Sequence, residues 1–348
     1  MEKIFCILLL AIATNIQAAD ADPTNPPPPH ARGPKGDMAK GEAVKGDDAK
    51  NDLVIIQDAT HKPVFTTNTV TIAGQPVKYV AETGMLPILK ADGTTRASVF
   101  YVAYTKLDET NTATRPVTFS FNGGPGSSSV WMHLGVLGPR RVKMNPDGTL
   151  PPPPFGLVDN EYSILDSSDL VFIDPVATGF SRPAKDEKPE QFFGNAGDLD
   201  SVGEFIRLWT TRHDRWLSPK YLIGESYGVF RAAGLADHLR DDCGMYLNGL
   251  ILVSGVLNYA TLQARPGNDL PYSLYLPAYT ATARFHKKLP ADLQSDLPKA
   301  LAEARAFASG EYLNALQKGD SLSPEERKKN RRRTRANHRS ETAGHRGQ

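Results

Sequence analysis

At 348 residues with 40% hydrophobic content, the chain can bury a sizeable core, as one large domain or two small ones. Its two cysteines, Cys6 and Cys243, exclude a disulfide scaffold, and no stretch beyond the first twenty residues is long and apolar enough to span a bilayer as a helix. The formal charge of +1 conceals an asymmetry: residues 325–348 hold nine Lys/Arg and three Glu, leaving a body with 31 basic and 36 acidic groups, net −5.

In chain order, Met1-Glu2-Lys3 is a short charged start, Ile4 to Ala13 is nearly unbroken apolar, and small residues follow at Ala18 and Ala19. That pattern fits a signal peptide over residues 1–19, and hence a secreted or periplasmic protein. Cys6 would leave with the signal, so Cys243 would stand alone; export without disulfides favours a bacterial periplasm. Residues 20–63 carry Pro26 to Pro29 and many Gly, Ala, Lys and Asp, a composition that predicts a disordered linker. From Val64 short β-prone runs alternate with turn signals: Thr69 to Ile72, Val77 to Val80, Ser98 to Tyr104 and Val117 to Phe121. They predict an antiparallel meander.

After Gly123 the pattern becomes α/β. Leu170 to Ile173, Tyr221 to Ile223 and Gly249 to Val253 are continuous apolar runs, as in strands covered on both faces. Between the first two, Asp198 to Thr211 places Leu199, Val202, Phe205, Ile206 and Trp209 at helical spacing. A second helix is predicted from just after Ser226 to about Arg240. Residues 277–318 read as mostly helical, a partial cap, with Ala291 to Ala308 the strongest segment. Strand–helix alternation implies a mostly parallel sheet with helices on both faces, over residues 64–324. Ser323 and Pro324 mark a helix start, but Arg331-Arg332-Arg333 and Arg335 follow with nothing apolar from Arg327 to Arg335. Residues 325–348 therefore read as a basic disordered tail, and the abrupt change suggests a shifted reading frame.

Two motifs carry chemistry. Gly224-Glu225-Ser226-Tyr227-Gly228 follows an apolar strand and precedes a helix, the context of a nucleophile elbow in the α/β-hydrolase fold. Such a turn lifts the Ser226 hydroxyl above the sheet and sets it at a helix N-terminus, where backbone N–H groups support developing negative charge. The second is Asn122-Gly123-Gly124-Pro125-Gly126-Ser127-Ser128-Ser129, after the strand Val117 to Phe121. Its glycines let backbone N–H groups approach a ligand, and Gly124 and Tyr227 are the candidate oxyanion donors. No Gly-Lys-Ser/Thr follows, so a nucleotide loop is not indicated.

These two segments, with Leu137-Gly138-Pro139 and Asp174-Pro175-Val176-Ala177-Thr178-Gly179-Phe180-Ser181 between them, resemble the serine carboxypeptidases in order and spacing, over roughly residues 64–320. The resemblance implies Ser226 as nucleophile, Gly124 and Tyr227 as oxyanion hole, and Asn122, Gly123 and Glu225 as the grip on a substrate's C-terminal carboxylate. It implies peptides with a free C-terminus as partners, and no cofactor, metal or nucleic acid. Such a grip fixes the free carboxylate one residue from the scissile bond, so only the last residue is removed.

Two departures stand out. The family often has a glutamate where Val136 stands, paired with the glutamate beside the nucleophile; Arg140 and Arg141 are near enough in sequence to be candidates for that partner, and equally read as a buried structural arginine or a solvated pair. Ser127 stands where a cysteine is common. The acid and base of the triad are expected far downstream, and the 122 residues after Ser226 reproduce neither motif. His238, twelve residues along a helix from Ser226, is roughly 18 Å away. His133 reads as a packed histidine, and His213 and His286 as surface groups. The expectation is therefore an α/β-hydrolase fold incomplete at its C-terminus, with little activity. The alternatives are another hydrolase such as an esterase, or a binding protein on the same scaffold.

Overall fold

The structure, a computed structural model, describes residues 62–109 and 111–337. The expected signal peptide, the expected linker up to residue 61, and residues 338–348 lie outside the described residues. The chain divides into two compact units, one ending at Val256 and the other starting at Leu257.

The first unit opens with three long strands, β1 (Val64–Ile72), β2 (Gln75–Leu89) and β3 (Thr95–Lys106), paired antiparallel in sequence order. β4 (Val117–Phe121) does not extend that meander as expected. It lies in the middle of the sheet, parallel to both of its neighbours. All five of its residues are buried, so its Val-Thr-Phe-Ser-Phe run reports a central strand rather than a half-exposed one. A short helix α1 (Val130–Met132) follows, then a π-helical turn through Leu137 and a small hairpin of β5 (Arg140–Val142) with β6 (Leu157–Asp159). The chain returns through β7 (Asp169–Ile173), a two-residue strand β8 (Arg182–Pro183) paired to β3, helix α2 (Gly194–Arg212), β9 (Lys220–Glu225), helix α3 (Tyr227–Cys243) and β10 (Gly249–Val253). The main sheet runs β1-β2-β3-β7-β4-β9-β10, and its last four strands are parallel.

Two cores sandwich this sheet. On one face, Phe119, Phe121 and Leu222 pack against Phe205, Ile206 and Trp209 of α2 and Leu235 and Leu239 of α3. On the other, Tyr104, Leu170, Phe172 and Ile223 pack against Met132, Leu137 and Leu165. β10 departs from its expected burial: Leu250, Ile251 and Leu252 remain 37–50% exposed, and among the described residues the strand stands at the edge of the sheet.

The second unit is helical: α4 (Leu270–Phe285), α5 (Ala291–Gln294), α6 (Leu297–Phe307), α7 (Leu313–Lys318) and α8 (Pro324–Asn337). The strongly helical stretch from Ala291 to Ala308 falls into two helices, since Asp296 caps α6 by accepting from the Lys299 N–H. The larger correction concerns residues 325–337, which form a helix instead of a disordered tail. Ser323 Oγ accepts the Glu326 N–H at 3.2 Å while Glu326 Oε2 accepts the Ser323 N–H at 2.9 Å, a closed capping box. Arg333 and Lys329 both pair with Glu311, and the Arg333 guanidinium lies 4.6 Å from the Phe307 ring. Charge pairing and alkyl packing thus hold a segment that has no apolar stripe. No described helix is long and apolar enough to cross a membrane.

Candidate active site

The parallel strands end side by side, and register places the two glycine motifs together. Phe121, the last residue of β4, pairs with Gly224 in β9, so Asn122 and Glu225 leave the sheet as neighbours. Asn122 is 1% exposed. Its Nδ2 donates to Glu225 Oε2 at 3.1 Å, and its Oδ1 accepts the Met132 N–H at 2.9 Å. Both ends of the amide are therefore fixed, one by the segment that carries α1 and one by the residue preceding Ser226.

Ser226 sits between β9 and α3 with φ 57° and ψ −120°. A non-glycine residue there stores on the order of 1–3 kcal/mol of backbone strain, which the surrounding structure must offset. Its N–H donates to Val253 O at 3.0 Å and its carbonyl accepts the Val229 N–H at 3.1 Å, so β10 and the first turn of α3 hold it. Glycine at 224 is required by the tight turn: a Cβ there would stand 2.0 Å from Gly228 O. This is the geometry of a nucleophile elbow, with Ser226 half-buried at the start of a 17-residue helix.

The Asn122 to Ser129 loop meets the elbow directly. A Cβ on Gly123 would lie 2.4 Å from Tyr227 N and 2.6 Å from Glu225 O, so only glycine allows this approach. Gly124 follows at φ 108° and is exposed. The structure thus brings Asn122, Gly123, Gly124, Glu225, Ser226 and Tyr227 to one end of the sheet.

The Asp174 to Ser181 segment supports that loop from the far side. Asp174 Oδ1 accepts the Ser129 N–H at 2.8 Å, and Ser129 Oγ donates to Ile173 O. Ser181 Oγ donates to Asp174 O at 2.6 Å and accepts the Phe100 N–H at 2.8 Å. Burial pushes the Asp174 carboxyl above its ordinary value, opposed by the N–H groups of Ser129 and Phe180.

The substitutes for the missing glutamate do not reach the site. Arg140 pairs with Asp159 at 2.7 Å and Arg141 with Glu161 at 3.4 Å, along the β5–β6 hairpin, while Val136 is 45% exposed. The partner of Glu225 is Asn122 instead.

The described histidines of this unit all hold other groups. His133 stacks on Phe172 and meets the Tyr104 hydroxyl at 2.6 Å, and burial lowers its pKa to about 4. His213 is not the surface group expected: it stacks on Trp209 at 4.0 Å and meets Glu82 Oε2 at 2.9 Å. His238 pairs with Asp242 at 2.7 Å.

Sequence reading missed two residues behind the site. Arg231 of α3 is 2% exposed and its Nε donates to both Asp198 oxygens at 2.9 Å, while Nη1 donates to Asn122 O at 2.8 Å. A signal existed. Asp198 stands in step with Val202, Phe205 and Trp209 on α2, and Arg231 with Leu235 and Leu239 on α3. Opposite charges on two apolar stripes mark a buried pair between facing helices.

The serine carboxypeptidase family model matches residues 73–280. Among curated proteins, serine carboxypeptidase-like 16 of Arabidopsis thaliana is 29% identical over 196 residues, covering 53% of this chain and 42% of that protein. The pheromone-processing carboxypeptidase KEX1 of Saccharomyces cerevisiae is 37% identical over 155 residues, or 41% of this chain and 20% of that protein. The chain thus spans less than half the length of these relatives. Among solved structures, the prohormone-processing carboxypeptidase KEX1(delta)p from Saccharomyces cerevisiae shows 21% identity and a TM-score of 0.45, over 74% of this chain and 53% of that one. The strand order, the strand–elbow–helix turn at Ser226 and the family match give the α/β-hydrolase fold. Because that family model covers well over half of the 348 residues, the chain belongs to the serine carboxypeptidase family.

Proposed function

We propose that this site removes C-terminal residues from peptides by serine-type acyl transfer, with Ser226 as the nucleophile. The hydrogen bond between Asn122 and Glu225, adjacent to the strained Ser226 turn, is the observation that carries the reading. It sets an amide and a carboxyl next to the elbow, where they suit a free peptide carboxylate. The Asn122 amide and the Gly123 N–H are the donors that would hold such a carboxylate.

In this reading Ser226 Oγ adds to the scissile carbonyl carbon as a base takes its proton. The resulting oxyanion faces the N–H groups of Gly124 and Tyr227. The C–N bond then breaks, the proton passes to the leaving amino group, and water hydrolyses the acyl ester to regenerate Ser226. His133, His213 and His238 are each committed to other partners, so the proton acceptor is none of these three. We therefore assign this chain slow turnover but a working carboxylate grip. The engaged histidines also favour a second reading, a carboxylate-binding protein that does not turn over. The exported, periplasmic location rests on the leader-like pattern of residues 1–19 and the lone mature cysteine.

Binding of an N-blocked dipeptide as free acid and as C-terminal amide, measured by calorimetry, tests the grip. The free acid is expected to bind at least about ten-fold tighter. Equal affinities would instead favour an esterase or an endopeptidase.

A further inference from the structure

We infer that the buried Arg231–Asp198 pair is a positioning device for the carboxylate-binding turn: it anchors the Asn122 carbonyl and so aims the groups on both sides of it. This rests on the reading of Asn122 and Gly123 as the carboxylate grip. The guanidinium touches three segments that are remote in sequence. Its Nε binds Asp198 of α2, its Nη1 binds the Asn122 carbonyl, and its plane lies 5.2 Å from the Phe121 ring and 5.3 Å from the Tyr227 ring. Phe121 precedes the turn and Tyr227 follows Ser226, so one planar group spans both motifs.

The Asn122 carbonyl has specific need of such a donor. The ladder between β4 and β9 ends at Phe121 and Gly224, one residue earlier, so no strand neighbour offers Asn122 a matching N–H. A buried carbonyl left without a partner is costly and would turn toward another donor. Turning it rotates the peptide plane it shares with the Gly123 N–H, and shifts the Asn122 side chain on its other flank. Arginine suits the task because its fork is rigid and it does not lose its proton. Stability alone does not call for the pair, since apolar side chains of similar volume between α2 and α3 would avoid the desolvation cost. Asp198 completes the arrangement: it neutralises the guanidinium, which would otherwise compete with Asn122 and Glu225 for an incoming carboxylate.

The test is amide hydrogen exchange of the full chain, resolved by mass spectrometry, for wild type, Arg231→Met, Arg231→Lys and the double variant Arg231→Met/Asp198→Leu. The double variant removes both charges and is expected to keep its urea midpoint close to wild type. Its 122–128 amides are nevertheless expected to exchange at least about ten-fold faster, while β7 keeps its protection. Arg231→Lys, which retains a charged donor, is expected to restore part of that protection and part of the preference for free acid over amide. Wild-type exchange over 122–128 in the double variant would overturn the inference. So would loosening that appears only with global unfolding, or a double variant that does not fold, because the pair would then be structural. A wild-type chain that binds acid and amide equally while these exchange results hold would sink the carboxypeptidase reading and leave the positioning role standing.

Discussion

The two ends of the parallel sheet are both tied by buried arginine–aspartate pairs, yet they are built for different purposes. At the end where the strands begin, Asp169 accepts from Arg115 Nε at 2.8 Å, Arg215 Nη1 at 2.6 Å and the Lys106 N–H at 3.0 Å. Of the other guanidinium donors, Arg115 Nη2 goes to Leu165 O, Arg215 Nη2 to Arg115 O and Arg215 Nε to Ser218 Oγ. All three side chains are at most 5% exposed, and the network closes on itself. At the end where the strands finish, Arg231 is just as deep and Asp198 is 10% exposed, and their network leads outward to Asn122 and a half-buried Glu225. The same chemistry seals one end and holds the other open in a fixed shape. Burial alone therefore does not distinguish a structural ion pair from one serving a site; where its last hydrogen bond goes does.

The largest effect that separates the two ends is expected at Asp169. Asp169→Ala leaves two buried guanidinium groups without their carboxylate and should cost about 3–5 kcal/mol, read from urea unfolding. Whatever remains folded should bind free-acid dipeptide with near wild-type affinity. A selective loss of binding with unchanged stability would erase the distinction between the ends.

Acid should loosen the open end first. Burial holds the His133 pKa down at about 4, so between about pH 6.5 and 4 the unfolded chain takes up a proton that the folded one does not. Stability from this group is thus present at neutral pH and falls as pH drops through that window, by up to roughly 3 kcal/mol. His133 lies one residue from Met132, whose N–H holds the Asn122 side chain. His133→Gln should flatten the pH dependence of the urea midpoint over this window. An unchanged slope would show that His133 does not govern it.

A smaller, local change is expected from Gly123→Ala. Its Cβ would sit 2.4 Å from Tyr227 N, against backbone that cannot swing aside, so the loop must back away from the elbow. The expected cost is about 1–3 kcal/mol in stability, with dipeptide binding lost more completely than stability. Retained free-acid preference would mean that the close approach of the two motifs is not needed for the grip.

Much of the open end was legible in the sequence because its devices are local. A tight turn and a close backbone approach demand glycine at fixed offsets, so the segments around Gly123 and Ser226 announced themselves. Their meeting follows from the β4–β9 register, which puts Asn122 beside Glu225. What crosses between elements was harder to see. Arg231 and Asp198 are 33 residues apart, and each alone resembles an ordinary surface charge until the apolar stripes of α2 and α3 are laid face to face. β4 was misassigned to the meander because a short strand's direction is set by its neighbours and not by its composition. Arg140 and Arg141 were close to the site only in sequence; the β5–β6 hairpin carries them to Asp159 and Glu161. The start of the helix at Pro324–Asn337 is legible in Ser323 and Pro324, but its continuation through the arginine run is not, because pairing with Glu311 leaves no apolar pattern.

The central claim is that the open end holds a formed elbow and glycine loop in which His133, His213 and His238 do not activate Ser226. Labelling of the full chain with a fluorophosphonate probe, with folding verified by circular dichroism and the modified residue mapped by mass spectrometry, addresses it most directly. The expected result is a folded chain that labels only at Ser226, at a rate on the order of a thousand-fold or more below that of a complete serine hydrolase, with no labelling in Ser226→Ala. Rapid labelling that disappears in Ser226→Ala would contradict it, by showing that a base already stands within reach of the Ser226 hydroxyl.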